Sequence, residues 1–166
     1  MSPLAGARRQ PGWVCALLWL IVLGTMAVIF LFSAQEGNAS WSASGRVARA
    51  IIAVIRPDYP TFSASEQTRL YETVQLLVRK GAHFLEYAWL GFWTFWLANA
   101  YALPCAAGAA WLAGTLYAAS DELHQLFVSS RLGSWRDIAL DSAGVLAGAF
   151  MAWMIARLWR RRRRYG

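Results

Sequence analysis

The sequence predicts an all-α integral membrane protein, a bundle of four transmembrane helices with an amphipathic outer segment between helices one and two. Three observations predict it. Of 166 residues, 58% are hydrophobic and 15% charged, more apolar surface than one domain of this size can bury in water. Four stretches are apolar over about 20 residues, the length a helix needs to cross a hydrocarbon core roughly 30 Å thick. The arginines crowd against two of those stretches, at the two ends of the chain.

Helix one is expected at about 13-33, because Trp13 to Phe32 contains no charge. A secretory signal is the alternative there, since Arg8 and Arg9 precede the run. However, the apolar stretch exceeds the usual 7 to 15 residues, at about 20, and Phe32 stands where a cleavage site wants a small residue, so the segment is expected to stay as an anchor. The outer segment, 34-81, follows. In it Trp41, Val47, Ile51, Ile52, Val54 and Ile55 interleave with Arg46, Arg49 and Arg56, the pattern of an amphipathic helix lying among lipid headgroups. Pro57 and Pro60 break that helix. Ser63 with Glu66 then reads as a capping box, opening a helix whose Leu70, Val74, Leu77 and Val78 share a face and which runs toward helix two, with Gly81 as the weak point between them.

Helix two is expected at 83-103 and has one charge, Glu86, within its apolar run. Leu103-Pro104 is a tight turn into helix three at 105-127, which keeps Asp121, Glu122 and His124 for its last turns. Helix four, at 138-159, carries Asp141 near its start and is followed by an arginine-rich tail, 160-166. The whole chain, 1-166, reads as one membrane domain.

Charge placement orients the bundle. Arg8 and Arg9 flank helix one and six arginines lie between Arg157 and Arg164, so the positive-inside rule puts both termini in the cytoplasm of a multi-pass plasma (inner) membrane protein. These ends contribute +8, and the outer side, with the other eight cations and all nine acids, contributes −1, which together make the net +7. The arginine run is thus a topology anchor and anionic-lipid contact, and no nucleic acid is expected. Cys15 and Cys105 fall near the reducing side and read as small packing residues without a disulfide.

The polar residues gather at the opposite, outer ends. Lys80, His83, Glu86 and Tyr87 open helix two, and spacings of three or four put Lys80, His83 and Glu86 or Tyr87 on one stripe. Asp121, Glu122, His124 and Gln125 close helix three; Arg131, Arg136, Asp137 and Asp141 enter helix four. An ionisable group inside the membrane boundary is costly unless paired or facing a polar cavity, so each is a candidate functional residue. The bland reading is an interfacial network in which carboxylates pair with Arg79, Lys80, Arg131 and Arg136 to hold the helices in register. The sharper one is a headgroup site, with cations gripping phosphate or carboxylate. His83-x-x-Glu86 and Asp121-Glu122-x-His124 fall short of an HExxH or Cys-rich pattern, so no metal is assigned and no cofactor follows. Ser120 and Ser142 lack a nucleophile elbow and read as helix-bonding hydroxyls. Gly144 and Gly148 have GxxxG spacing, which suits close packing within the chain or, as the minority reading, a homo-oligomer.

The combined motifs are Phe32-Ser33-Ala34-Gln35, Arg79-Lys80-Gly-Ala-His83-Phe84-Leu-Glu86-Tyr87, Asp121-Glu122-Leu-His124-Gln125-Leu-Phe127 and Arg131 with Arg136-Asp137 and Asp141-Ser-Ala-Gly144. In this order and membrane placement they resemble the VanZ-like family, whose namesake is associated with resistance to the lipoglycopeptide teicoplanin. The resemblance runs from helix one through Gly148. It departs at Ser129-Ser130, where a Pro-Gly turn is expected, and residues 36 to 78 carry no matching motif. It implicates Gln35, Arg79, Lys80, His83, Glu86, Tyr87, Asp121, Glu122, His124, Gln125, Arg131, Asp137 and Asp141. The converging polar stripes, taken with this resemblance, lead to an outer-leaflet site for an amphiphile with an anionic or sugar headgroup. Membrane lipids, lipid-linked envelope precursors or lipoglycopeptides are the expected partners, and a contribution to antibiotic or envelope-stress resistance is the expected role. The alternative is a membrane-embedded enzyme acting on a lipid-linked substrate, with His83, Glu86, Asp121, Glu122 and His124 as its catalytic candidates, metal-assisted or not.

Overall fold

The computed structural model describes residues 9–34, 37–127 and 134–165. Among them the chain forms five α-helices and no strand: α1 (Gly12–Ser33), α2 (Gly37–Ile55), α3 (Ala64–Ala100), α4 (Ala106–Gln125) and α5 (Trp135–Tyr165), with a 3-10 turn at Tyr59–Thr61. The all-α class is as the sequence predicts.

α1 begins after Pro11, whose carbonyl accepts from the Val14 and Cys15 amides. Its apolar residues run right round the helix. Leu18, Val22 and Ile29 are buried while Leu17, Leu20, Leu23 and Leu31 are exposed, a distribution that suits a helix with protein on one side and hydrocarbon on the other. α1 and the Trp135–Arg162 stretch of α5 are the two described helices long and apolar enough to cross a membrane by length and composition. The second half of α3 is apolar but interrupted by His83, Glu86 and Asn99, and carries the amphipathic indoles of Trp89, Trp93 and Trp96. α4 is apolar over its first turns and ends on Asp121, Glu122 and His124.

The outer segment is helical. Ala48 and Ile52, four apart on α2, are buried against Val74, with Leu70, Tyr71 and Val78 packed around them. The approach is close at Gly45, where a Cβ would run into the Tyr71 hydroxyl. Pro57 ends the helix, and Arg56 folds back to donate to both carboxylate oxygens of Asp58 at 3.0 and 2.9 Å. This pair holds the Asp58 carboxyl below its ordinary range, chiefly through those hydrogen bonds. The capping box is present: the Glu66 amide donates to Ser63 Oγ at 3.4 Å and the Ser63 amide to Glu66 Oε2 at 3.0 Å.

From that cap α3 continues without a break to Ala100. Its 37 residues are about 55 Å long at 1.5 Å per residue. The helix expected at 83-103 is therefore the second half of a longer rod, and the first half belongs to the outer segment. Gly81 does not interrupt it: a Cβ there would meet nothing within 4 Å, and one exposed glycine costs only about 1 kcal/mol. The turn after α3 closes with Leu103 N–H donating to Ala98 O at 3.2 Å.

α3 and α5 share the largest interface, and small residues create it. A Cβ on Gly148 would overlap the Ala88 carbonyl oxygen, and one on Gly91 the Val145 carbonyl. Val145 also fills the notch at Gly114 of α4. The GxxxG stripe of Gly144 and Gly148 is thus occupied by α3 of the same chain. Three contacts gather the start of α1 and the ends of α3 and α5 at one end of the bundle. Gln10 N–H donates to Ala100 O at 2.9 Å, Trp19 Nε1 to Tyr101 Oη at 3.1 Å and Arg160 to Asn99 Oδ1 at 3.5 Å.

Candidate functional site

At the other end, the second half of α3 meets the end of α4 and the start of α5. Helix spacing decides which side chains converge. Lys80 and Tyr87 are two turns apart on α3, Tyr117, Asp121 and Gln125 are successive turns of α4, and Asp137 and Asp141 are one turn apart on α5, so each set shares a face.

Lys80 Nζ forms an ion pair with Asp137 Oδ1, joining α3 to α5. Glu122 accepts the Ser134 amide at 2.8 Å, so the end of α4 is bonded to the residue that opens α5. The carboxylate thereby satisfies one of the amides a helix start leaves over, in the field that favours a negative group. Gln125 Nε2 donates to Asp121 Oδ2 at 3.1 Å. His124 stacks on Phe30 of α1 with centroids 4.6 Å apart, and Tyr117 donates to the Met26 carbonyl at 2.7 Å, so α1 braces the site from behind.

The centre of this end is buried and under-satisfied. Tyr87 is 0%, Asp141 1% and Asp121 3% exposed. Among the described residues no hydrogen-bond partner reaches either Asp141 oxygen, Asp121 Oδ1 or the Tyr87 hydroxyl. The Tyr87 hydroxyl lies beside Asp121, close enough for a loose interaction with its carboxylate though outside strict hydrogen-bond geometry, and Asp141 stands within its electrostatic reach. The described groups whose charge reaches Asp141 are Glu122, Asp137, Asp121 and, with the opposite sign, Lys80. Among the described residues no three His, Cys, Asp or Glu side chains come together as a ligand set.

The structure therefore brings together Lys80, Tyr87, Asp121, Glu122, Gln125, Asp137 and Asp141. It does not bring Glu86 with them. One residue before Tyr87, Glu86 turns away to line a groove of about 510 Å³ between α1 and α3, with Gly24, Thr25, Val28, Ile29, Leu85 and Trp89. Arg136 also points elsewhere: it is exposed, with its guanidinium 5.6 Å from the Trp135 ring. Arg79 and His83 are half-buried on α3. Gln35, Arg131 and the Ser129-Ser130 loop lie outside the described residues, as does the Trp41 side chain.

Ser120 and Ser142 bond within and between helices, as expected. Ser120 donates to the Tyr117 carbonyl at 2.7 Å, while Ser142 shares a hydrogen bond with Thr115 at 2.8 Å and accepts from Trp111 Nε1 at 3.0 Å. Two participants escaped the sequence reading, Tyr117 and Ser134. Both had a signal: Tyr117 is one turn before Asp121, and Ser134 stands three residues before Asp137 at the spacing of a helix-opening cap.

The family model described as VanZ/LLP1 matches residues 17–157, from the first turns of α1 to the arginines of α5. The chain belongs to the VanZ/LLP1 family. No curated protein and no solved structure matches it. Every residue of the converging cluster lies inside the VanZ/LLP1 match, whereas the arginine run from Arg160 onward lies outside it.

Proposed function

We propose that this VanZ/LLP1 protein crosses the plasma membrane four times with both termini in the cytoplasm, and that its acid-rich end binds the headgroup of an envelope amphiphile in the outer leaflet. The amphiphile is an envelope lipid, a lipid-linked precursor or a lipid-bearing antibiotic, and binding it contributes to envelope-stress or antibiotic resistance. The observation that carries this reading is the buried set of Tyr87, Asp121 and Asp141, in which the Tyr87 hydroxyl, Asp121 Oδ1 and both Asp141 oxygens find no partner among the described residues. A polar group buried without a partner costs about 1 to 3 kcal/mol, so four such atoms at one place point to a ligand that completes them.

Four crossings are supported by exposed apolar residues on every helix of the bundle: Leu20 of α1, Leu85 and Trp89 of α3, Leu112 and Leu116 of α4, and Phe150 and Met151 of α5. They form the kind of outward apolar surface that lipid covers. The orientation rests on the arginines at the end of α5, which lie beside the start of α1 and away from the acids.

The test is native mass spectrometry of the protein extracted from envelope membranes, in parent and Asp121→Asn form. A lipid that co-purifies with the parent and is lost in the variant is the expected result. A parent that emerges free of lipid and binds none of the added envelope amphiphiles refutes the reading. Release of a new product from the extract transfers the site to lipid-processing catalysis.

A further inference from the structure

Resting on the headgroup reading of this site, we propose that the group it holds is a primary ammonium, bound between Asp121, Asp141 and Tyr87 behind the Lys80–Asp137 ion pair. The chemistry of the unmatched atoms selects it. At the buried centre three are carboxylate oxygens, Asp141 Oδ1 and Oδ2 and Asp121 Oδ1, and the fourth is the fully buried Tyr87 hydroxyl beside Asp121; Ser33 Oγ and His124 Nε2 are further unmatched atoms toward the same end. A set dominated by anionic acceptors is completed by a cationic donor. A primary ammonium offers three N–H donors and one positive charge, which match three carboxylate oxygens and offset the acids around them. A trimethylated ammonium has the charge but no donor. A glycerol or sugar hydroxyl has donors but no charge. A phosphate is repelled by Asp121, Glu122 and Asp141.

The way in is set by the helix register. Asp137 is one turn outward of Asp141 on α5, and Lys80 two turns outward of Tyr87 on α3, so their ion pair stands over the buried acids. Its side chains are 35% and 27% exposed, in contrast to the closed centre beneath. Separation of that pair opens the path, and a zwitterionic headgroup that enters ammonium first leaves its phosphate beside Lys80. The ammonium can belong to a lipid headgroup or to a free amine, and the two sources are separable.

The experiment uses the full chain, stripped of lipid in detergent and offered equal amounts of phosphatidylethanolamine, phosphatidylcholine and phosphatidylglycerol of one acyl composition, with native mass spectrometry as the readout. Phosphatidylethanolamine is expected to be retained at least tenfold over both others, and Asp141→Asn and Tyr87→Phe each to reduce that preference several-fold at unchanged helicity. Displacement of the retained lipid by free ethanolamine but not by choline supports a free amine as ligand, and retention against both supports the lipid. Equal retention of phosphatidylcholine or phosphatidylglycerol overturns the ammonium assignment and leaves headgroup binding standing. Retention of none of the three also overturns the ammonium assignment, and headgroup binding falls with it only if the protein binds none of the other envelope amphiphiles either. If Asp141→Asn does not fold, Tyr87→Phe, which removes only the hydroxyl, decides. A Tyr87→Phe protein with undiminished preference refutes this site.

Discussion

Gly148→Ala is expected to destabilise the bundle although alanine is the better helix former. Alanine gains about 1 kcal/mol of propensity over glycine in a helix interior. Against that, a Cβ at position 148 would overlap the Ala88 carbonyl oxygen and lie 2.6 Å from the Ala88 carbonyl carbon and 2.9 Å from the Phe92 nitrogen. All are backbone atoms that no side-chain rotation can move. Carbon contacts are optimal at about 3.5 to 4.0 Å, so α3 and α5 must part by roughly 1 Å, which forfeits a quarter to a half of the dispersion energy of each nearby contact. Overpacking of this kind costs about 1 to 3 kcal/mol. At the largest interface in the molecule we take about 3, for a net loss of about 2 kcal/mol, roughly a thirty-fold shift toward the unfolded state. Gly24→Ala and Gly81→Ala are the controls: a Cβ meets nothing within 4 Å at either, so both should gain up to about 1 kcal/mol. Unfolding in detergent micelles, followed by helicity and by the fluorescence of the ten tryptophans, measures all three. A Gly148→Ala protein as stable as its parent, or controls that shift in the same direction as it does, would refute the packing argument.

Three further outcomes are expected. In a double-mutant cycle of Lys80→Ala and Asp137→Asn, coupling of about 1 kcal/mol should appear, because the pair is only partly exposed and joins two helices; additivity would mean that it holds nothing together. The first turn of α3 should fray in acid. Ser63 holds the Glu66 carboxyl below its usual 4.5, so the capping contribution is complete above that value and is lost as pH falls through the lower folded value. NMR of the Glu66 and Gln67 amides checks this, with a flat profile expected in Glu66→Gln. Finally, Cys105 is exposed and Cys15 half-buried, so a membrane-impermeant maleimide should label Cys105 first, and only in inverted vesicles; labelling of intact cells would reverse the proposed orientation.

Most helices were legible because each has a local cause. The uncharged run of α1, the interleaved apolar and arginine residues of α2 and the Ser63–Glu66 cap all act within a turn or two of themselves. The join at Gly81 was harder. Glycine lowers helix propensity wherever it stands, but whether the helix breaks depends on what its missing Cβ faces, and here it faces open space. The same lack of a side chain has the opposite meaning at Gly148, where another backbone fills the room. In the sequence only the GxxxG spacing with Gly144 separates Gly148 from Gly81, and it does not say which backbone fills the room.

The site divides along similar lines. Depth was readable: polar residues at the ends of α3 and α4 and the start of α5 had to meet at one level. Direction was less so. Glu86 and Tyr87 are adjacent, and on a helix adjacent residues point about 100° apart, at 3.6 residues per turn. Only one of them can share the face of Lys80 that looks at α5. Helix geometry makes it Tyr87, since seven residues turn about 700° and six about 600°, and the packing of Gly91 on α5 turns that shared face toward α5. This sends Glu86 into the apolar groove beside α1 and leaves Asp121 and Asp141 at the buried centre without it. A charge argument from sequence, which counted Arg79, Lys80, Arg131 and Arg136 together with the acids, pointed to an anionic or sugar headgroup. In the folded chain Arg136 stands at the surface and Lys80 is engaged at the rim, so among the described residues the interior is the acceptor side. The sign of the ligand follows from which charges the helix rotation buries.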